Sequence, residues 1–179
     1  RAAYAEPHRA YHNAEHILEC LQVFDSVREE AEIPDELEFA LWLHDAIYRS
    51  RGGDSEAQSA DWAVRILEAG GADAACVERV RELIMVTLHT EAATDGDAAL
   101  MVDVDLSILG RSEERFDRYE DDVRREYRWV PGPLFRSKRR EMLKAFLARP
   151  ILFQTPQLRE RLEDQARRNL QRSIERLGG

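Results

Sequence analysis

The stretch that decides the fold reads PDELEFALWLHDAIY and covers residues 34–48. Its apolar residues recur at the three- and four-residue spacing of an amphipathic helix, which predicts a helix from Pro34 to about Tyr48. His44 lies in the middle of the apolar face, and Asp45 follows about 100° round the helix axis. A carboxylate beside an inward-facing histidine is costly to bury unless a positive charge compensates it. A divalent cation would supply that charge; the alternative is a satisfied core histidine with a half-exposed aspartate.

Similar periodic segments, separated by glycine and proline, run along the whole chain. They predict further helices at 14–30, with Asn13 as N-cap, and at 55–69, 74–89, 98–109, 112–129, 134–147 and 156–177. The segment 112–129 is highly charged, which predicts a surface position. Sustained alternation is limited to a short stretch near residues 102–106. The sequence therefore predicts an all-α protein, a single domain over residues 1–179 built as a bundle of about seven to eight helices.

The composition excludes several classes of partner. The 179 residues include 26 Lys and Arg against 35 Asp and Glu, a net charge of −9, which argues against a nucleic acid polymer as partner. A small phosphorylated substrate needs only a local cluster of cations or a metal. Apolar runs stay well short of the ~18 residues that span a bilayer, and no signal-peptide pattern opens the chain. We therefore predict a cytoplasmic protein without a membrane partner, with Cys20 and Cys76 as thiols.

A second candidate carboxylate lies in MVDVDLSIL, residues 101–109. On a helix the apolar residues 101, 102, 108 and 109 form one stripe, and Asp105 projects from its centre while Asp103 lies about 160° away. An aspartate in the middle of an apolar face should be paired, protonated or bound to a metal. The alternatives are a salt bridge to a buried arginine, or a strand that exposes both aspartates.

Three of the five histidines lie close together, at positions 8, 12 and 16. Only His16 is inside a predicted helix, where it lies near the buried stripe. Three predicted helices thus aim a histidine or an aspartate at one core, with the donors His16, His44, Asp45 and Asp105. Two imidazoles and two carboxylates suit one divalent ion of Mn, Fe, Co, Ni, Zn or Mg and leave positions open for water.

This ordered set resembles the H…HD…D signature of the HD superfamily, whose members are helical metal-dependent phosphohydrolases. More narrowly, the chain resembles the bacterial group described as predicted metal-dependent phosphohydrolases of that superfamily. The matching stretches are PHRAYHNAEH (7–16), WLHDAIY (42–48), DVDLSILG (103–110) and EDQARRNL (163–170). The resemblance implies the same four metal ligands, and hydrolysis of a phosphate ester, a nucleotide or another small phosphorylated metabolite, by metal-activated water.

The resemblance also assigns roles around the metal. Asp45 could accept a proton from the water. Some HD nucleotidases carry a glutamate shortly after the doublet, and this chain has none there, so Asp54 or Glu56 is the candidate from the next loop. His89 is the one histidine between the doublet and the last aspartate, too few for a bridged metal pair. We therefore expect a mononuclear site, with His89 and His12 lining the pocket.

Positive side chains are expected to hold the phosphate oxygens. The candidates are Arg9 and a cluster at the seventh helix, which reads as a solvated face in the alternative interpretation: Arg136, Lys138, Arg139 and Arg140. Three other functions stay open: a non-catalytic metal- or nucleotide-binding regulatory module, an HD-fold di-iron oxygenase, and a structural bundle without metal. A homo-oligomer is also possible, because several helices could offer an apolar stripe to a partner.

Overall fold

The structure is a computed structural model that describes residues 3–88 and 96–178. Over these two ranges the chain forms eight α-helices and no strand, which confirms the predicted all-α class. The helices are α1 (Ala14–Asp25), α2 (Pro34–Leu43), α3 (Ser55–Ala69), α4 (Ala74–Met85), α5 (Gly96–Asp105), α6 (Glu113–Glu126), α7 (Gly132–Leu147) and α8 (Pro156–Arg176). Contacts divide the chain into two compact units, Arg1–Asp105 and Leu106–Gly179. The single domain over the whole chain stays a prediction.

In the first unit, α1 begins where the sequence predicts it. The Asn13 side chain accepts hydrogen bonds from the backbone N–H of Glu15 at 2.7 Å and of His16 at 3.4 Å, which confirms it as the N-cap. The helix ends at Asp25 rather than near residue 30. The hydroxyl of Ser26 donates to the Val23 carbonyl at 2.6 Å, a local bond that competes with helix continuation.

Helix α5 is the central element of the first unit. It contacts α1, α2 and α4, and its residues 99–104 are all buried. A helix that is buried on all sides has no single apolar stripe, so the stripe predicted over residues 101–109 does not describe it. The helix also ends at Asp105, and a 3-10 turn, Leu106–Gly110, follows in the second unit.

In the second unit, α6 is less superficial than its charge suggests. It buries Phe116 and Val123, and also the carboxylate of Glu120. That carboxylate accepts hydrogen bonds from the buried Arg139 guanidinium, at 2.5 Å from Nη2, and from the Ser173 hydroxyl at 2.9 Å. The buried charge is therefore compensated within its own unit, as buried carboxylates require.

Two side chains of the C-terminal motif EDQARRNL form hydrogen bonds with backbone groups of the same unit. Asn169 donates to the carbonyls of Leu109 and Arg111, both at 2.8 Å. Glu163 accepts from two backbone N–H groups of the loop before α8, at 3.0 Å from Leu152 and 3.1 Å from Phe153. Within the described ranges every helix is too short or too polar to cross a lipid bilayer.

Candidate metal site

The ends of three helices of the first unit, and the turn that follows one of them, supply the candidate donors. His16 lies in the first turn of α1, and Asp105 is the last residue of α5. The predicted helix to Tyr48 is wrong: α2 ends at Leu43, and His44 is its C-cap. The Ala46 N–H bonds to the Leu43 carbonyl at 2.9 Å and tightens the chain into a turn. His44 and Asp45 therefore occupy a turn, in which both side chains can point to the same side.

The imidazole nitrogens and carboxylate oxygens of these residues meet at one point. His16 Nε2 lies 3.3 Å from His44 Nε2, 3.2 Å from Asp105 Oδ1 and 3.4 Å from Asp45 Oδ2. His44 Nε2 lies 3.4 Å from an oxygen of each aspartate. The donors of His16, His44 and Asp105 all lie within 4.8 Å of one another.

These separations fit ligands of a shared cation. Ligands held about 2.0–2.1 Å from an ion lie about 3.3–3.4 Å apart when tetrahedral and about 2.8–3.0 Å apart when octahedral. The observed 3.2–3.4 Å falls at the tetrahedral value and is longer than most direct hydrogen bonds to nitrogen. His16, His44 and Asp105 are thus able to hold a metal ion, and two nitrogens with a carboxylate oxygen suit a divalent transition metal. The Asp45 carboxylate lies beside them, 3.4 Å from both imidazoles.

Contacts behind the two imidazoles support the same assignment. His44 Nδ1 lies 2.9 Å from the Leu41 carbonyl, which can only accept, so Nδ1 carries the hydrogen. The lone pair of Nε2 then faces the cluster, as in histidines that ligate metals. His16 Nδ1 lies 3.6 Å from the buried Cys20 sulfur, which supports the second ring from its rear side.

The charges in the cluster attract a positive species. Burial alone lowers the pKa of His16, but Cys20, Tyr11 and hydrogen bonds to the two aspartates raise it well above its ordinary value. Burial likewise lowers the pKa of His44, and the aspartates again raise it overall. Burial would raise the pKa of Asp45, but the histidines around it lower it. Protons or a cation therefore concentrate between these side chains.

Access to the cluster is from the carboxylate side. The side chains of His16 and His44 are 3% and 1% exposed, whereas those of Asp45 and Asp105 are 16% and 15% exposed. The two imidazoles thus form the floor of the site, and the two carboxylates line its opening. A water molecule or a small ligand would approach past the aspartates.

The choice between the two aspartates of α5 agrees with the prediction, but for a different reason. Asp105 reaches the cluster, as predicted. The prediction that Asp103 points away from the core is wrong, because Asp103 is fully buried. Because α5 is buried on all sides, helical periodicity could not decide which of the two aspartates reaches the cluster. Asp105 reaches it because it is the last residue of the helix.

Of the other predicted residues in the first unit, His12 lies beside His16. Its half-buried ring stacks on Tyr48 with centroids 4.0 Å apart, and lies 6.1 Å from the ring of His16. Arg9 is buried, and its donors engage backbone carbonyls rather than solvent. Glu56 lies half-buried in the first turn of α3; within the described part of the chain it has no hydrogen bond or ion pair to the cluster.

The remaining predicted residues are His89, Lys138 and Arg139. His89 is outside the described residues. Lys138 and Arg139 belong to α7 in the second unit. Lys138 is exposed and pairs with Glu141 at 3.0 Å, whereas Arg139 is buried against Glu120. The Arg139 guanidinium therefore has a structural partner.

A cavity of about 410 Å³ is lined in part by residues 46–49, which directly follow the His44–Asp45 doublet in the sequence. Its lining includes the rings of His8, Tyr48 and Trp62, with the charged side chains of Glu6 and Arg49. The rings of His8 and Tyr48 are nearly parallel, at 8°, with centroids 6.4 Å apart. Tyr48 and Trp62 line the same cavity although they are distant in the sequence, so a local sequence pattern does not report it.

Comparisons with models of protein families, with curated proteins and with solved structures give no match for this chain. The chemistry available to the site is therefore inferred from its own side chains, two buried imidazoles and two partly exposed carboxylates. An aromatic-lined cavity is formed in part by the residues that follow the doublet in the sequence.

Proposed function

We propose that this chain is a metal-dependent phosphohydrolase of the HD type, which holds one divalent ion and hydrolyses a small phosphate ester. The proposed ligands are His16, His44, Asp45 and Asp105. The observation that carries the proposal is the spacing of their donor atoms: each imidazole Nε2 lies 3.2–3.4 Å from the other Nε2 and from an oxygen of each aspartate. The order of these residues along the chain, and its resemblance to the H…HD…D signature, add the reaction class.

A bound divalent ion lowers the pKa of a coordinated water and polarises a phosphoryl oxygen. The residues of the chain supply the positioning. The Leu41 carbonyl fixes the His44 ring, so that Nε2 stays directed at the centre. The carboxylates at the opening are the groups that an incoming water meets first, and Asp45, which its lowered pKa keeps ionised, would orient that water as a hydrogen-bond acceptor.

The cavity beside the doublet favours a substrate with a flat ring. Its volume of about 410 Å³ lies within the range of small-molecule sites, and Tyr48 and Trp62 offer faces for stacking. Arg49, which also lines the cavity, could pair with an anionic group. We therefore expect nucleoside monophosphates and related phosphate esters among the substrates.

The test combines metal analysis with a substrate screen. The protein is stripped with a chelator, reloaded with Mn²⁺, Co²⁺, Ni²⁺, Zn²⁺ or Mg²⁺, and assayed for phosphate release from a panel of phosphorylated metabolites. We expect stoichiometric binding of one transition-metal ion and turnover that His44→Ala abolishes. Metal binding without turnover across the panel would favour a regulatory module. Equal, negligible metal in wild type and His44→Ala would contradict the metal site itself.

A further inference from the structure

The Arg9 side chain is fully buried although it is charged and lies in the segment before α1. Its Nη1 donates to the carbonyl oxygen of His12 at 2.9 Å and of Asp45 at 2.7 Å, and its Nη2 donates to the carbonyl of Ala46 at 3.0 Å. Its Nε donates to the Glu6 carboxylate at 2.8 Å. A buried guanidinium is tolerated only when its donors are satisfied in this way.

These bonds join two segments that are distant in the sequence. Arg9 and Asp45 are 36 residues apart, and the carbonyls of Asp45 and Ala46 belong to the turn that carries the His-Asp doublet. The rings of Tyr4 and Tyr48 lie 5.3 Å and 5.7 Å from the guanidinium carbon. The guanidinium thus ties the segment that leads into α1 to the turn after α2.

Four hydrogen bonds use four of the five N–H groups of the guanidinium, so this side chain is poorly suited to hold a phosphate. The bond at 2.7 Å is made to the backbone of Asp45, a residue whose carboxylate faces both imidazoles. A bond to this carbonyl restricts the backbone dihedrals that aim the carboxylate. The other side of the turn is held by Ser59, which accepts from the Ile47 N–H at 3.0 Å.

We infer that Arg9 is a positioning residue, which sets the turn after α2 so that the Asp45 carboxylate lies beside His16 and His44 before the ion binds. The inference rests on the metal site of the proposed function. Arginine is needed because its planar fork reaches three carbonyls together, whereas a lysine ammonium is a single point charge. Arg9→Lys therefore keeps the charge and loses the fork.

A second arginine provides a matched control. Arg167 in α8 donates from Nε to Glu163 at 2.8 Å and from its Nη atoms to three backbone carbonyls. Those carbonyls belong to Leu147, Arg149 and Pro150. Arg167 thus makes the same kind of clamp, one carboxylate and three carbonyls, wholly within the second unit. Arg167→Lys removes this clamp, whose partners all belong to the second unit.

The experiment measures Co²⁺ binding by titration calorimetry to chelator-stripped wild type, Arg9→Lys and Arg167→Lys, together with their thermal unfolding. We expect both variants to melt below wild type. Only Arg9→Lys should bind Co²⁺ more weakly, by about 10–100-fold, the range for partners that orient a ligand. An unchanged Co²⁺ affinity in Arg9→Lys overturns the inference, and so does an equal loss in Arg167→Lys, which would reflect general destabilisation.

The Co²⁺ titration also distinguishes failure of the proposed function from failure of the inference about Arg9. If wild type binds no Co²⁺ or other divalent ion, the proposed function fails and the inference with it; if wild type binds and Arg9→Lys binds equally, the inference alone fails. Should Arg9→Lys not fold, Glu6→Gln replaces it, because Glu6 is about half exposed and touches only one donor of Arg9. A smaller loss of Co²⁺ affinity supports the inference in that variant, and an unchanged affinity overturns it.

Discussion

Asp105→Asn should remove metal-dependent stabilisation while leaving the size of the side chain almost unchanged. Asp105 Oδ1 lies 3.2 Å from His16 Nε2 and 3.4 Å from His44 Nε2, so its charge belongs to the proposed donor set. Asp103→Asn is the control, because Asp103 lies two residues earlier in the same helix and is fully buried. The pair therefore separates loss of a ligand from loss of a buried carboxylate in α5.

The size of the effect follows from mass action. A ligand at about 100 times its Kd stabilises the folded state by about 2.7 kcal/mol. Loss of an orienting partner already weakens metal binding about 10–100-fold, so loss of a charged ligand should cost at least about 100-fold. At the same metal concentration, the variant then gains only about 0.4 kcal/mol. At about 2–4 °C per kcal/mol, the metal-induced rise in Tm is about 5–11 °C for wild type and about 1–2 °C for Asp105→Asn.

The assay is a set of thermal melts, followed by far-ultraviolet circular dichroism, in chelator and in excess Co²⁺. Asp103→Asn should show the same metal-induced rise as wild type, whatever its own effect on the metal-free Tm. The reasoning is refuted if Asp105→Asn keeps the wild-type rise. It is also refuted if Asp103→Asn loses the rise as completely as Asp105→Asn does.

Two further predictions concern pH and packing. Because the pKa values of His16 and His44 are raised in the fold, protonation stabilises the metal-free protein, so its Tm should fall as pH rises through those values. The metal-loaded protein needs neutral imidazoles, so its Tm should fall as pH drops. Thermal melts are recorded from about pH 5 to about pH 8, in chelator and in Co²⁺. Equal slopes of Tm against pH in the two conditions would contradict this prediction. A Cβ at Gly110 would lie 2.6 Å from the Cβ of Leu162 and 2.8 Å from its carbonyl oxygen, so Gly110→Ala should lower the Tm. The cost of about 1–3 kcal/mol corresponds to about 2–12 °C, whereas Gly70→Ala, with no neighbour nearer than 3.4 Å, should leave the Tm nearly unchanged.

Much of the fold was predictable because the helix signals are local. The predicted helix at 55–69 coincides with α3, and the predicted ends of α7 and α8 differ from the observed ones by at most two residues. Asn13 caps α1, and Gly70 follows the end of α3, so a capping side chain and a glycine mark these termini in the sequence itself. Leu18 fits the apolar spacing of α1 and is nevertheless 55% exposed, so spacing alone does not decide which apolar residues are buried.

The donor residues were predictable in identity but not in geometry. Periodicity placed His44 towards the core, and His44 is indeed buried. Nothing in PDELEFALWLHDAIY signals that the helix ends at Leu43, since the stretch contains neither a glycine nor an internal proline. The contacts that hold the following turn come from residues 36 positions earlier and 12 positions later, namely Arg9 and Ser59. A local pattern cannot report bonds of that sequence separation.

The early end of α2 is what makes the cluster possible. On a continued helix, Asp45 would point about 100° away from His44, and one of the two side chains would leave the centre. In the turn, the Asp45 carboxylate and His44 Nε2 lie 3.4 Å apart and share His16 as a common neighbour. A departure from helical periodicity costs backbone hydrogen bonds, and here the Arg9 guanidinium supplies replacements at the carbonyls of Asp45 and Ala46. The helix thus ends, against its local sequence pattern, at the turn where the candidate ligands converge. Departures from regular structure of this kind are expected at functional sites.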